Sequence, residues 1–176
     1  MDAGYLVYSV STLGRPMTFS FLYEKVSKDN GPGWHDDLSC DCVAIHIWRG
    51  EDYPKEMDYI GHESGFVIIK KLPPGQYEIY NYEIRGTPMT WSSKTPFSIP
   101  FKIESGKATY IGNFARGCWC ERNTIAANLG YFVISDKSAR DLPIARVKEP
   151  ALKEVGIDVW DATKLNSPIF FTNEPN

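Results

Sequence analysis

The clearest pattern of hydrophobic and polar positions runs from Gly65 to Tyr82. Phe66, Ile68 and Lys70 fall on one face of an extended segment and Val67, Ile69 and Lys71 on the other, an apolar run closed by lysines. Leu72-Pro73-Pro74-Gly75 then reverses the chain. Pro74 fixes φ for the second position of a type II turn, and Gly75 supplies the positive φ of the third. Beyond the turn, Tyr77, Ile79 and Asn81 alternate with Glu78, Tyr80 and Tyr82, the pattern of a half-buried strand. The segment reads as strand, tight turn, strand.

The same reasoning predicts strands at Tyr5–Thr12, Met17–Lys25, Val43–Trp48, Gly65–Lys71, Gln76–Ile84, Phe97–Ile103, Lys107–Phe114 and Tyr131–Ser135. Ser105-Gly106-Lys107 reads as a hairpin turn that pairs Ile99–Glu104 with Ala108–Asn113. Pro96 and Pro100 bracket Phe97-Ser98-Ile99 and confine that strand to a sheet edge or a bulged entry. Short strands with turn signals every ten to fifteen residues or so predict an all-β fold, an antiparallel β-sandwich of about seven to nine strands. A small antiparallel barrel is the alternative.

The tail differs. Asp141 is suited to cap a helix starting at Leu142, with Pro143 in its first turn, and Glu149-Pro150 bends or ends it. Asp141–Glu154 is therefore one short helix or two half-helices, packed through Leu142, Ile144, Ala145, Val147 and Leu152. From Asn166 the chain is expected to be extended or frayed, with Ile169-Phe170-Phe171 able to pair on an edge. The organisation is one domain: a sandwich over 1–140, with 141–176 packed on it as a short helical segment and extended tail. Ser27–Asp41 and Glu51–Glu63 are long polar loops.

Composition narrows the function. A formal net charge of −3, with Lys and Arg scattered, lacks the basic excess of a nucleic-acid binder. No apolar stretch approaches the roughly 20 residues of a membrane-spanning helix. Strand-like sequence begins at Tyr5 with no signal-peptide pattern before it, so the expectation is a cytoplasmic protein or a mature form whose leader was removed.

The four cysteines form two C-x-C pairs, Cys40-Asp41-Cys42 and Cys118-Trp119-Cys120. On a regular strand, residues i and i+2 lie about 6.5–7 Å apart on one face, too far for two thiolates on one zinc at about 2.3 Å each. Facing residues on neighbouring strands are about 4.5–5.5 Å apart, which suits a disulfide. Antiparallel pairing joins Cys40 to Cys120 and Cys42 to Cys118; parallel pairing joins Cys40 to Cys118 and Cys42 to Cys120. The alternative is a metal or thiol-active site drawing on Cys40, Cys42, His46, Cys118 and Cys120, with His35 nearby. Against it, His46 alternates with Val43, Ile45 and Ile47 as a solvent-facing residue does.

Carboxylates cluster at Asp36, Asp37 and Asp41, and again at Glu51, Asp52, Glu56, Asp58 and Glu63, without the spacing of a calcium loop. They read as solvated loop residues, and nothing in their spacing singles out an acid/base pair. No G-x-S-x-G and no phosphate-cradling glycine loop occurs. Trp34, Trp48, Trp91 and Trp119 lie near loops, where aromatic rings stack on sugars or peptides, although such residues more commonly pack on strands.

The segment from Gly65 to Ile79 resembles the hairpin of transthyretin-like and carboxypeptidase-regulatory-like β-sandwich modules. Three further stretches extend the likeness: Gly4-Tyr5-Leu6-Val7; Phe97 to Gly106 with Tyr110-Ile111-Gly112-Asn113; and Ser135-Asp136 with Arg140-Asp141-Leu142. Together, over residues 4 to about 150, they are similar to a group of poorly characterised Gram-negative envelope lipoproteins in which a strand begins just after a lipidated cysteine. The likeness implies a transthyretin-like or immunoglobulin-like sandwich, a periplasmic or outer-membrane-anchored location and a non-enzymatic role. It implies no known ligand. The expected partner, a protein or glycan in the envelope, is read from exposed loops and sheet edges, with membrane contact only through an N-terminal lipid absent from this chain. No cofactor is expected. The paired cysteines fit the oxidising compartment this location supplies.

Overall fold

The computed structural model describes residues 3–13, 18–26, 57–85, 90–93, 95, 97–118, 130–161, 165 and 170–171. Ten strands and one α-helix follow in chain order: β1 (Gly4–Leu13), β2 (Thr18–Lys25), β3 (Glu63–Leu72), β4 (Gly75–Arg85), β5 (Thr90–Ser92), β6 (Ile99–Ile103), β7 (Ala108–Cys118), β8 (Gly130–Ser135), α1 (Ser138–Lys148), β9 (Ile157–Val159) and β10 (Phe170–Phe171). A 3-10 turn, Pro150–Lys153, follows α1. The strand expected at Val43–Trp48 lies outside the described residues.

The strands form two sheets. The larger runs β10-β8-β7-β1-β3 with β9 also on β7; the smaller runs β2-β4-β5 with β6 also on β4. They share a core in which Leu6, Tyr8, Val10 and Phe114 of the larger sheet meet Phe21, Tyr23, Tyr77 and Ile79 of the smaller. The ring centroids of Phe21 and Phe114 are 4.8 Å apart, and each such side chain, fully buried, contributes about 1.5–3 kcal/mol. Two separate sheets replace the barrel weighed as an alternative.

Only the smaller sheet is antiparallel throughout. In the larger, β1 runs parallel to β7, β8 parallel to β10, and β7 parallel to β9. Parallel strands ordinarily need cover on both faces, and here they have it. Leu6, Tyr8 and Val10 face the shared core, while Tyr5 and Val7 face a second cluster that includes Ala145 of α1 and Leu152 of the 3-10 turn.

Both turns read as hairpins join different sheets instead. β3 pairs with β1 and β4 with β2, so Leu72–Gly75 is a crossover. Ser105–Lys107 likewise leads from β6 in the smaller sheet to β7 in the larger. The patterning explains why. β3 and β7 are apolar on both faces and belong in the sheet covered twice. β4 and β6 alternate, and β6 shows Ile99, Phe101 and Ile103 inward with Pro100 and Lys102 outward. Positive φ falls on Gly106, at 69°, and Gly112, at 102°, and not on Gly75 as the type II reading required.

The tail is also shifted. Helix α1 begins at Ser138, three residues before Asp141, and the backbone N–H of Ser138 donates to Asp136 Oδ1 (2.8 Å). Asp141 is thus not a cap but a first-turn residue with a fully buried side chain. Of the one short helix or two half-helices expected over 141–154, the structure has an 11-residue helix that ends before Pro150 and a separate 3-10 turn after it. Phe170-Phe171 pairs on β8, held by Phe170 stacking on Phe132 at 5.5 Å.

Candidate functional site

Ser9 and Ser11 interrupt the apolar rows of β1, one strand repeat beyond Val7 on the face that α1 covers. Both are fully buried. Polar groups removed from water need partners, since each one left unpaired costs about 1–3 kcal/mol. Those partners arrive from three directions.

The first is a β-bulge. Val7 pairs with Tyr110 but Ser9 with Asn113, so β7 carries one extra residue there. Gly112 takes it up at φ 102°, a conformation that disfavours any residue with a Cβ. The shift turns Asn113 to the α1 side and Phe114 to the shared core. The second is α1, which brings Lys137, Arg140 and Asp141. The third is the segment 59–63, which brings Tyr59 and Glu63.

Asp141 sits at the centre. Tyr110 Oη donates to its Oδ2 at 2.6 Å and Arg140 Nε to its Oδ1 at 2.7 Å. Ser9 Oγ lies 2.5 Å from Asp141 Oδ2 and 2.8 Å from Asn113 Oδ1, and its single proton serves one acceptor at a time. Asn113 Oδ1 also faces Ser11 Oγ, Tyr59 Oη and Arg140 Nη2, each at 3.2 Å. Its amide nitrogen donates to Glu63 Oε2 at 3.1 Å. Arg140 Nη1 reaches the same Glu63 oxygen at 3.0 Å, and Lys137 pairs with Glu63 at 3.3 Å. The Arg140 guanidinium lies 3.6 Å from the centre of the Tyr59 ring. Two cations thus face two carboxylates.

Titration follows from this packing. Burial pushes Tyr59 up to about 12, against the counteracting pull of Arg140. Burial and the bond to Asp141 push Tyr110 higher still. Burial works to lower Arg140, yet the Asp141 bond and the nearby Tyr59 and Glu63 leave it above its ordinary value. Elsewhere Arg116, two residues beyond Phe114 on the core-facing side of β7, is fully buried and pushed down to about 10 by that burial, with Tyr82 opposing.

As chemistry, the cluster holds charge and fixes positions. Ser9 has no exposed surface and no histidine beside it in the bonds described, and every oxygen of Asp141 already accepts. It fastens α1 to β1 and β7.

None of these residues was proposed as a site from sequence, although two hydroxyls inside a strand apolar on both faces are a usable signal. Asn113, Arg140 and Asp141 do belong to the stretches that carry the envelope-lipoprotein resemblance, and the fold brings them together. The proposed disulfide and metal residues Cys40, Cys42, His46 and Cys120 lie outside the described residues, as do His35, Trp34, Trp48 and Trp119. Cys118 is described only in its backbone, opposite Gly130 at the end of β7, and Trp91 only in its backbone in β5. Among the described residues, no group of three or more His, Cys, Asp or Glu is arranged to hold a metal ion. A shallow groove of about 220 Å³ lies beside β6, β7 and β9, lined by Lys102, Glu104, Thr109, Asp158, Val159 and Trp160. It is smaller than an ordinary ligand pocket of about 300–1,000 Å³. No helix among the described residues is long and apolar enough to cross a membrane. Comparison with protein-family models, curated proteins and solved structures finds no match to this chain.

Proposed function

We propose that the protein is a non-enzymatic module of the cell envelope, a transthyretin-like or immunoglobulin-like sandwich that acts by binding or by structure through its loops and sheet edges. The observation that carries this reading is the saturation of the Asp141 cluster. Among the described residues, this buried constellation of acid, base-like and hydroxyl groups on the α1 side spends its bonding capacity on itself, where catalytic groups keep an atom free for substrate. What remains for recognition is surface: the polar outer face of the smaller sheet, the groove beside Trp160, and the loops. The location rests on the resemblance and on the paired cysteines.

Cell fractionation with intact-mass and elemental analysis of the native protein tests it. An envelope protein with an N-terminal lipid, a gain of ~4 Da on reduction (two hydrogens per disulfide) and no stoichiometric metal is expected. Cytoplasmic protein with four free thiols and about one bound zinc overturns the reading in favour of a thiol-based metal site.

A further inference from the structure

Among the described residues, strand β3 ends the larger sheet. Such an edge exposes a row of N–H and C=O groups to any strand that comes alongside. Phe66-Val67-Ile68-Ile69 is an apolar run of strong strand formers, the composition that makes an edge hazardous. One side of β3 pairs with β1. On the other side, alternate residues starting from Gly65 turn their backbone groups outward.

The chain covers the first half of that side with substitutes for a strand. The Gly65 N–H donates to Tyr59 O at 3.1 Å, and Gly65 O accepts from the Asp58 N–H at 3.0 Å. One step along, among the described residues, side chains take the place of backbone. The Val67 N–H donates to Asp58 Oδ2 at 2.7 Å, as it would to a carbonyl. Val67 O accepts from Lys148 Nζ at 2.8 Å, as it would from an amide. Asp58 and Lys148 are themselves paired at 2.6 Å, so the carboxylate and ammonium form a clamp across the edge. Lys148 comes from the last turn of α1, and the neighbouring Glu149 pairs with Lys71 further along the strand, at 3.7 Å.

We propose that the 57–60 segment and Lys148 form a plug that keeps β3 from pairing with β3 of a second copy of this chain. The second copy is the matching occupant because the strand is self-complementary about Val67. An antiparallel two-fold pairing with Val67 opposite Val67 sets Gly65 opposite Ile69, so outward-bonding positions meet. It also sets Glu63 opposite Lys71 and Ser64 opposite Lys70, so that unlike charges face and like charges do not. The clamp is an ion pair of partly exposed groups and is the weak point of the plug. The plug also holds Tyr59 in the Asp141 cluster, so opening the edge loosens one partner of the fastener.

Sedimentation velocity on full-length D58A/K148M, against wild type and a Lys25→Met control on the opposite sheet, tests the proposal. Unplugging should strengthen self-association by about tenfold or more, with Lys25→Met unchanged. Hydrogen exchange should show Val67 and Ile69 amides gaining protection as the variant's concentration rises. A folded variant that sediments as wild type, with those amides exchanging faster at every concentration, overturns it. If the double variant does not fold, Lys148→Met alone, which frees the Val67 carbonyl and leaves Asp58 on the Val67 N–H, is read by sedimentation and by the Ile69 amide with the same expected and overturning results.

Discussion

The two sheets solve the same packing problem with opposite means. The smaller sheet keeps one face in water, and its strands alternate: Tyr77 and Ile79 point inward while Gln76 is exposed. The larger is covered twice, and β1 is buried along nearly its whole length. A doubly covered sheet must satisfy every polar group it encloses, which is why the Asp141 cluster sits there. The bulges show the same division. In β4 the extra residue falls where Leu22 pairs with Asn81 and Tyr23 with Ile79, and it delivers Tyr82 to the core, where its ring lies 5.1 Å from Phe132. In β7 the bulge delivers Asn113 to the polar cluster. One bulge adds apolar packing, the other a bond acceptor.

The largest way to break this contrast is to remove the centre of the cluster. Asp141→Ala strips the counter-charge from Arg140 and a buried acceptor from Ser9 and Tyr110, and should cost about 3–5 kcal/mol in urea unfolding. The matching deletion on the open face, Glu78→Ala, removes a hydrogen bond from Ser98 at the surface and should stay within about 0.5 kcal/mol. Equal losses would erase the distinction between the sheets.

High pH attacks the covered sheet selectively. Tyr59 has its folded value raised from 10 to about 12. Its contribution is therefore complete below pH 10 and is lost as pH climbs toward 12, to a total of about 3 kcal/mol. Tyr110, also raised, adds in the same direction. Tyr59→Phe should flatten part of the alkaline slope measured by unfolding across pH 9–12.

Gly112→Ala sharpens the role of the bulge. It forces a Cβ into positive φ and to 3.2 Å from Ser135 O, which should cost about 1–3 kcal/mol. The corresponding β4 residue, Tyr80, already carries a Cβ, so Tyr80→Ala introduces no such clash and should cost less.

Low pH gives the smallest effect. Hydrogen bonds from Lys102 and then Lys107 hold the half-buried Glu104 at about 2. Its contribution is present above pH 4.5 and fades as pH falls through 2. Glu104→Gln should change the acid limb of the unfolding profile only slightly.

Much of the strand layout was legible. Residues spaced by two, with Gly and Pro between, marked seven of the strands now described, because period-two patterning survives wherever a face is buried. Which strands pair was not legible, since a tight turn reads the same within a sheet and between sheets. The discriminating sign was in the strands: Phe66 to Ile69 is apolar on both faces, whereas Tyr77 to Tyr80 alternates. The cluster was hidden because Ser9, Asn113 and Asp141 are more than a hundred residues apart at the extremes, and because the bulge at Gly112 changes which side Asn113 faces. Asp141 was misread as a cap because local sequence favours that use; the cluster's buried bonds prevail.

Native-state hydrogen exchange in Asp141→Asn tests the central claim, that the cluster fastens α1 to the larger sheet. The account predicts that α1 amides lose protection by about tenfold or more, a local opening of at least about 1.4 kcal/mol, while β2 and β4 amides stay near wild type. Unchanged protection in α1, or an equal loss in both sheets, would contradict it.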